Sequence, residues 1–75
     1  LHARIAELER RIGEREEAIR QLETDMAAPG FYEDTQTAKR MVLRHQNLMW
    51  EVGDLMNQWE ALHKEAIEGA SATET

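Results

Sequence analysis

The chain has 75 residues, a formal net charge of −6 and no cysteine. That length allows one domain, near the size where a single core is only marginally stable. The missing cysteine excludes a disulfide framework, a thiolate nucleophile and a Cys-ligated zinc or iron–sulfur centre. Aromatics make up 5% and proline occurs once, which disfavours an all-β sandwich or barrel. No apolar run approaches the ~18 residues of a membrane span. There is no basic, apolar, cleavable leader, so a cytoplasmic setting is the default expectation. The acidic balance argues against tight phosphate binding by this piece alone. The chain opens at Leu1, already inside a helical pattern, and is expected to be a piece of a longer protein.

The first element is a helix over about 1–27. Its apolar residues fall at Ile5, Leu8, Ile12, Ile19, Leu22 and Met26, an a/d heptad with one gap filled by Arg15. The positions between them are mostly Glu and Arg, which favour helix, and Gly13 is the weak point. Arg15 is read as snorkelling outward, with a polar register device as the alternative.

A turn over about 28–34 follows, marked by Pro29-Gly30. Phe31 and Tyr32 are expected to fold back over the open end of the helix pair as an apolar plug. Asp34 or Thr35 can cap the next helix by accepting from an orphan backbone N–H.

The second helix is placed at about 35–68, with 69–75 as a frayed, disordered tail. Its heptad runs Ala38, Met41, His45, Leu48, Val52, Leu55, Trp59, Leu62 and Ala66, and Val42, Met49 and Met56 widen the stripe.

The expected fold is therefore all-α, a two-helix antiparallel coiled-coil hairpin over 1–68. Two registers satisfy the a and d positions. In one, facing residue numbers total 67, so that Leu8 meets Trp59 and Ile12 meets Leu55; in the other they total 60. The first sets Arg4 near Glu65 and Asp25 near Arg44, the second brings only Arg11 to Glu51, and charge tips the choice slightly toward the first. Either gives a rod about 40 Å long, at ~1.5 Å per helical residue.

Such a rod has little core of its own. Leu43 and Trp50 lie seven apart on the outer face of the second helix, beside Met49. They form a candidate interaction surface, for a homodimer or for docking onto the parent protein. The plainer reading is scattered exposed apolar residues. On the first helix Arg4, Arg10, Arg11 and Arg20 are candidate phosphate contacts, opposed by interleaved Glu7, Glu9, Glu14, Glu16 and Glu17.

Nothing in the chain reads as catalytic, cofactor-binding or metal-binding. There is no phosphate-loop or dinucleotide motif, and the four glycines are far apart. Glu60 and His63 have the E-x-x-H spacing of di-iron bundles, but a single copy at an outward position reads as a solvated face. His45 at an a position reads as a neutral core histidine, and no triad spacing is present.

The order of these features resembles the C-terminal coiled-coil domain of ABC-F ATPases of the Uup-like kind. The shared marks are the stretch "LETDMAAPGFYED", with Pro29 and Phe31-Tyr32-Glu33-Asp34, and the closing Trp59-Glu60-Ala61-Leu62. They cover roughly residues 5–65, and Ala28 before the proline departs from the usual aspartate. The resemblance implies a parent with two ATP-binding cassettes, ATP and Mg held outside this fragment, and no membrane spans. It also implies an arm that contacts DNA, ribosomal RNA or the ribosome in translation. A second resemblance, on Pro29, Phe31, Asp34 and Ala38, is to the opening helical domain of class I peptide chain release factors. A plain dimerising coiled coil is the third reading.

Overall fold

The computed structural model describes residues 1–74, with side chains described as far as residue 69. Helix α1 spans His2–Met26, a single 3-10 turn spans Phe31–Glu33, and helix α2 spans Thr35–Glu74. The described residues are thus all helix and turn, and the two helices pack against each other as an antiparallel hairpin.

The turn is built by local chemistry. Pro29 restricts the residue before it and bars continuation of α1. The released chain closes on itself through Ala27 N–H to Glu23 O at 3.0 Å and Ala28 N–H to Asp25 O at 3.2 Å. Gly30 then takes φ +85°, in the left-handed region, and reverses the chain. Asp34 caps α2. Its backbone is extended, one carboxylate oxygen accepts the Thr37 N–H at 3.2 Å, and the other accepts the Thr37 hydroxyl at 2.8 Å. These bonds hold the Asp34 carboxyl below the usual carboxylate range, with the Thr37 side-chain bond the largest cause.

The heptad positions form the seam. Ile5, Leu8, Ile19, Leu22, Ala38 and Leu48 are buried. Ile12, Arg15, Met26, Met41, His45, Val52, Leu55, Trp59, Leu62 and Ala66 are half-buried. Ile19, Leu22 and Leu48 make the central cluster, with Ala18, Met41 and Val52 packed against it.

Three polar contacts across the seam fix the register. Trp59 Nε1–H donates to Glu9 Oε1 at 3.1 Å, Arg15 Nε–H donates to Glu51 Oε2 at 3.2 Å, and His45 Nε2 lies 3.7 Å from Glu23 Oε1. These fit the register that pairs Leu8 with Trp59. The alternative would have set Glu51 beside Arg11, which instead binds Glu7.

Four expectations are corrected. Among the described residues the pairs Arg4–Glu65 and Asp25–Arg44 do not form; Asp25 accepts from Gln21 Nε2 at 3.3 Å. On a solvated flank a partner one helical turn away costs less to hold than one on the other helix. Arg15 does not simply snorkel outward but reaches across to α2. Tyr32 does not plug the helix end. It is 75% exposed while Phe31 is half-buried, because successive residues of a 3-10 turn point about 120° apart. The rings touch edge to face, centroids 4.8 Å apart. Finally, α2 does not stop at Gly69 but runs through Glu74. Gly69 keeps a negative φ, so it forms no left-handed cap, and the Ala-rich stretch after it contains no proline. With α2 at 40 residues, the rod measures 63 × 15 × 14 Å, longer than the expected 40 Å.

Candidate interaction surface

The arginine strip of α1 is largely occupied by its own helix. Arg10 donates to Glu7 through Nη2 at 2.5 Å and Nε at 3.1 Å, and to Glu14 through Nη1 at 2.5 Å. Arg11 Nε–H donates to Glu7 at 3.1 Å, and Arg20 pairs with Glu17. All are pairs three or four residues apart, where helix geometry brings side chains together. The bonds from Arg10 and then Arg11 pull the Glu7 carboxyl down to about 2. Glu7 in turn, with Glu14, raises Arg10 above its ordinary value. Of the four candidate phosphate contacts, only Arg4 makes no ion pair among the described residues.

The outer face of α2 is open. Leu43 is 58% exposed, Met49 54% and Trp50 68%. Their exposure follows from the seam, since α2 turns its a and d residues to α1 and these three stand away from it. Tyr32, Thr35, Ala38, Lys39, Val42 and Leu43 line one shallow apolar groove. A second hollow opens at Gly53, beside Met49, Trp50 and Asn57, where a Cβ would meet nothing within 4 Å.

Three residues at this end were missed by motif reasoning. Lys39, Arg40 and Arg44 stand on a stretch, Thr35 to Trp50, that holds no Asp or Glu at all. The signal was compositional, a local absence of acid within an acidic chain, and a search for spaced motifs passes over it. Arg40 and Arg44 line a further hollow with Leu43, Asn47, Leu48 and Glu51.

The remaining candidates take structural places. His63 stacks on Trp59, centroids 4.7 Å apart and rings 9° from parallel, rather than turning to Glu60. His45 sits half-buried in the seam against Glu23. Among the described residues no three His, Asp or Glu side chains gather in a way that could hold a metal. No helix of the described residues is long and apolar enough to cross a membrane.

Fold and surface together define a slender two-helix hairpin with apolar side chains exposed along the outer side of α2. A family model for the ABC transporter C-terminal domain matches residues 2–64, which takes in α1, the turn and most of α2. The chain belongs to that family. No curated protein and no solved structure matches it.

Proposed function

We propose that this hairpin is the non-catalytic arm of an ABC-type protein, of the ABC-F, Uup-like kind, and that it positions its parent on nucleic acid or the ribosome. The observation that carries this reading is the family match across nearly the whole hairpin. The rod form supports it. A rod 63 Å long and about 15 Å thick is suited to reach, and its thin core leaves most side chains on the surface. In this reading the cassettes of the parent bind ATP and Mg, and their closure moves the arm. This chain supplies contact and no chemistry, in the cytoplasm where translation occurs. The release-factor and plain-dimer readings have no comparable support.

The test uses the parent protein with and without this hairpin. Removing the hairpin should leave ATP hydrolysis in place and should lower co-sedimentation with ribosomes, or retention of nucleic acid, by about tenfold or more. Unchanged co-sedimentation and unchanged nucleic-acid retention would refute the positioning role. Loss of hydrolysis with intact binding would make the hairpin part of the ATPase machinery.

A further inference from the structure

Resting on the reading that the arm meets nucleic acid, we infer that the contact lies on the turn-proximal half of α2 and takes unpaired nucleotides. Lys39, Arg40 and Arg44 would hold the phosphates and Trp50 would stack a base.

The first ground is charge segregation. A chain of net charge −6 carries, from Thr35 to Trp50, two arginines, one lysine and no carboxylate. No acid lies within this stretch of α2, so repulsion of a polyanion is weaker there than along the rest of the rod. The second ground is availability. Among the described residues Lys39, Arg40 and Arg44 enter no ion pair, whereas Arg10, Arg11, Arg15 and Arg20 are all engaged. The nearest acid on the same helix, Glu51, is itself engaged by Arg15 at 3.2 Å. Across the seam, Glu23 faces His45, and Asp25 accepts from Gln21.

The third ground is the aromatic. Trp50 is 68% exposed on the same outward side as Leu43 and Lys39, beside an unfilled hollow at Gly53. From Lys39 to Trp50 the helix rises about 16 Å, at ~1.5 Å per residue, which is room for a few nucleotides. Phosphate-holding cations interleaved with an exposed ring are what a single strand needs, because each base offers a π-face. A duplex keeps those faces inside its stack and offers Trp50 nothing. Around α2, Lys39 falls on the Trp50 side, while Arg40 and Arg44 stand on the adjoining flank beside Leu43. A second copy of this chain could also cover Trp50, and the test below separates that outcome.

The experiment is a fluorescence-anisotropy titration of this 75-residue chain. The probes are a labelled single-stranded oligonucleotide of mixed sequence and its duplex, at about 50 and about 200 mM salt. Variants are the triple Lys39→Gln, Arg40→Gln, Arg44→Gln; the single Trp50→Ala; and the control pair Arg10→Gln, Arg20→Gln. Helical circular dichroism confirms that each is folded. The single strand should bind more tightly than the duplex. The triple variant should lose about tenfold or more at low salt, and its slope of log K against log salt should fall by about 2. Trp50→Ala should lose about fivefold or more on the single strand and nothing on the duplex. The control pair should match the parent sequence.

Binding that follows Arg10 and Arg20 instead of α2 would overturn this inference and leave the arm reading standing. Equal affinity for strand and duplex, untouched by Trp50→Ala, would also overturn it. No binding of either probe would remove it together with nucleic acid as the arm's partner. If light scattering shows a dimer that Trp50→Ala dissolves, with nucleic-acid affinity unchanged, the face belongs to self-association.

Discussion

At the scale of single residues, the turn concentrates the specific chemistry. Asp34 caps α2 through two bonds to Thr37, and an alanine there leaves an orphan N–H at the helix start. Asp34→Ala should lower the melting temperature clearly, while Asp34→Asn, which still accepts a bond, should lower it less. The carboxyl of Asp34 lies below its ordinary value when folded, so the cap stabilises above the unfolded value and is lost as pH falls through the folded one. Glu7, held near 2 by Arg10 and Arg11, acts in the same direction. Melting temperature followed downward from about pH 5 should therefore decline, and Asp34→Ala should flatten part of that decline. Two glycines separate in sign. Gly30 needs its positive φ, so Gly30→Ala should destabilise by about 1 kcal/mol. Gly13 is helical with open space around it, so Gly13→Ala should stabilise by about 0.5–1 kcal/mol. Urea unfolding measures both.

At the scale of the elements, the seam explains why the fold was largely legible. A 3.5-residue period in two segments, broken by Pro29-Gly30, is enough to specify two helices and the faces they bury. Each heptad residue from Ala38 to Ala66 is buried or half-buried as that period requires. Register was harder, because sliding by one heptad still sets a and d positions against each other along most of the seam, and the polar groups tell the two apart most clearly. The pairs chosen on charge alone stayed apart in solvent. Arg15–Glu51 and Trp59–Glu9 made the distinction instead, the first from a residue that looked like a gap in the heptad. The exposure of Tyr32 and the length of α2 were not legible. One depends on a 3-10 turn, the other on the lack of any stop beyond Gly69. The two tryptophans test the seam. Trp59 is half-buried and hydrogen-bonded, so Trp59→Ala should cost about 2 kcal/mol in urea unfolding. Trp50 stands outside the seam, so Trp50→Ala should stay within about 0.5 kcal/mol.

At the scale of the whole molecule, the hairpin is a slender rod whose core is one seam wide. Its surface is divided: an α1 flank where Arg10, Arg11 and Arg20 are held by glutamates of the same helix, and an α2 stretch near the turn whose lysine and arginines enter no ion pair among the described residues. Much of the candidate surface was therefore legible as a set of exposed residues. Which cations remained available was not, because local pairing depends on side-chain geometry that composition does not carry. The account centres on that division of labour between the flanks. The most direct measurement is a heteronuclear NMR titration of the chain with a single-stranded oligonucleotide, following every backbone amide and both indole N–H groups. The account predicts shifts concentrated between Lys39 and Trp50, with the Trp50 indole moving and the Trp59 indole, bonded to Glu9, staying in place. Shifts spread along Arg4 to Arg20 of α1, or no shifts at all, would contradict it.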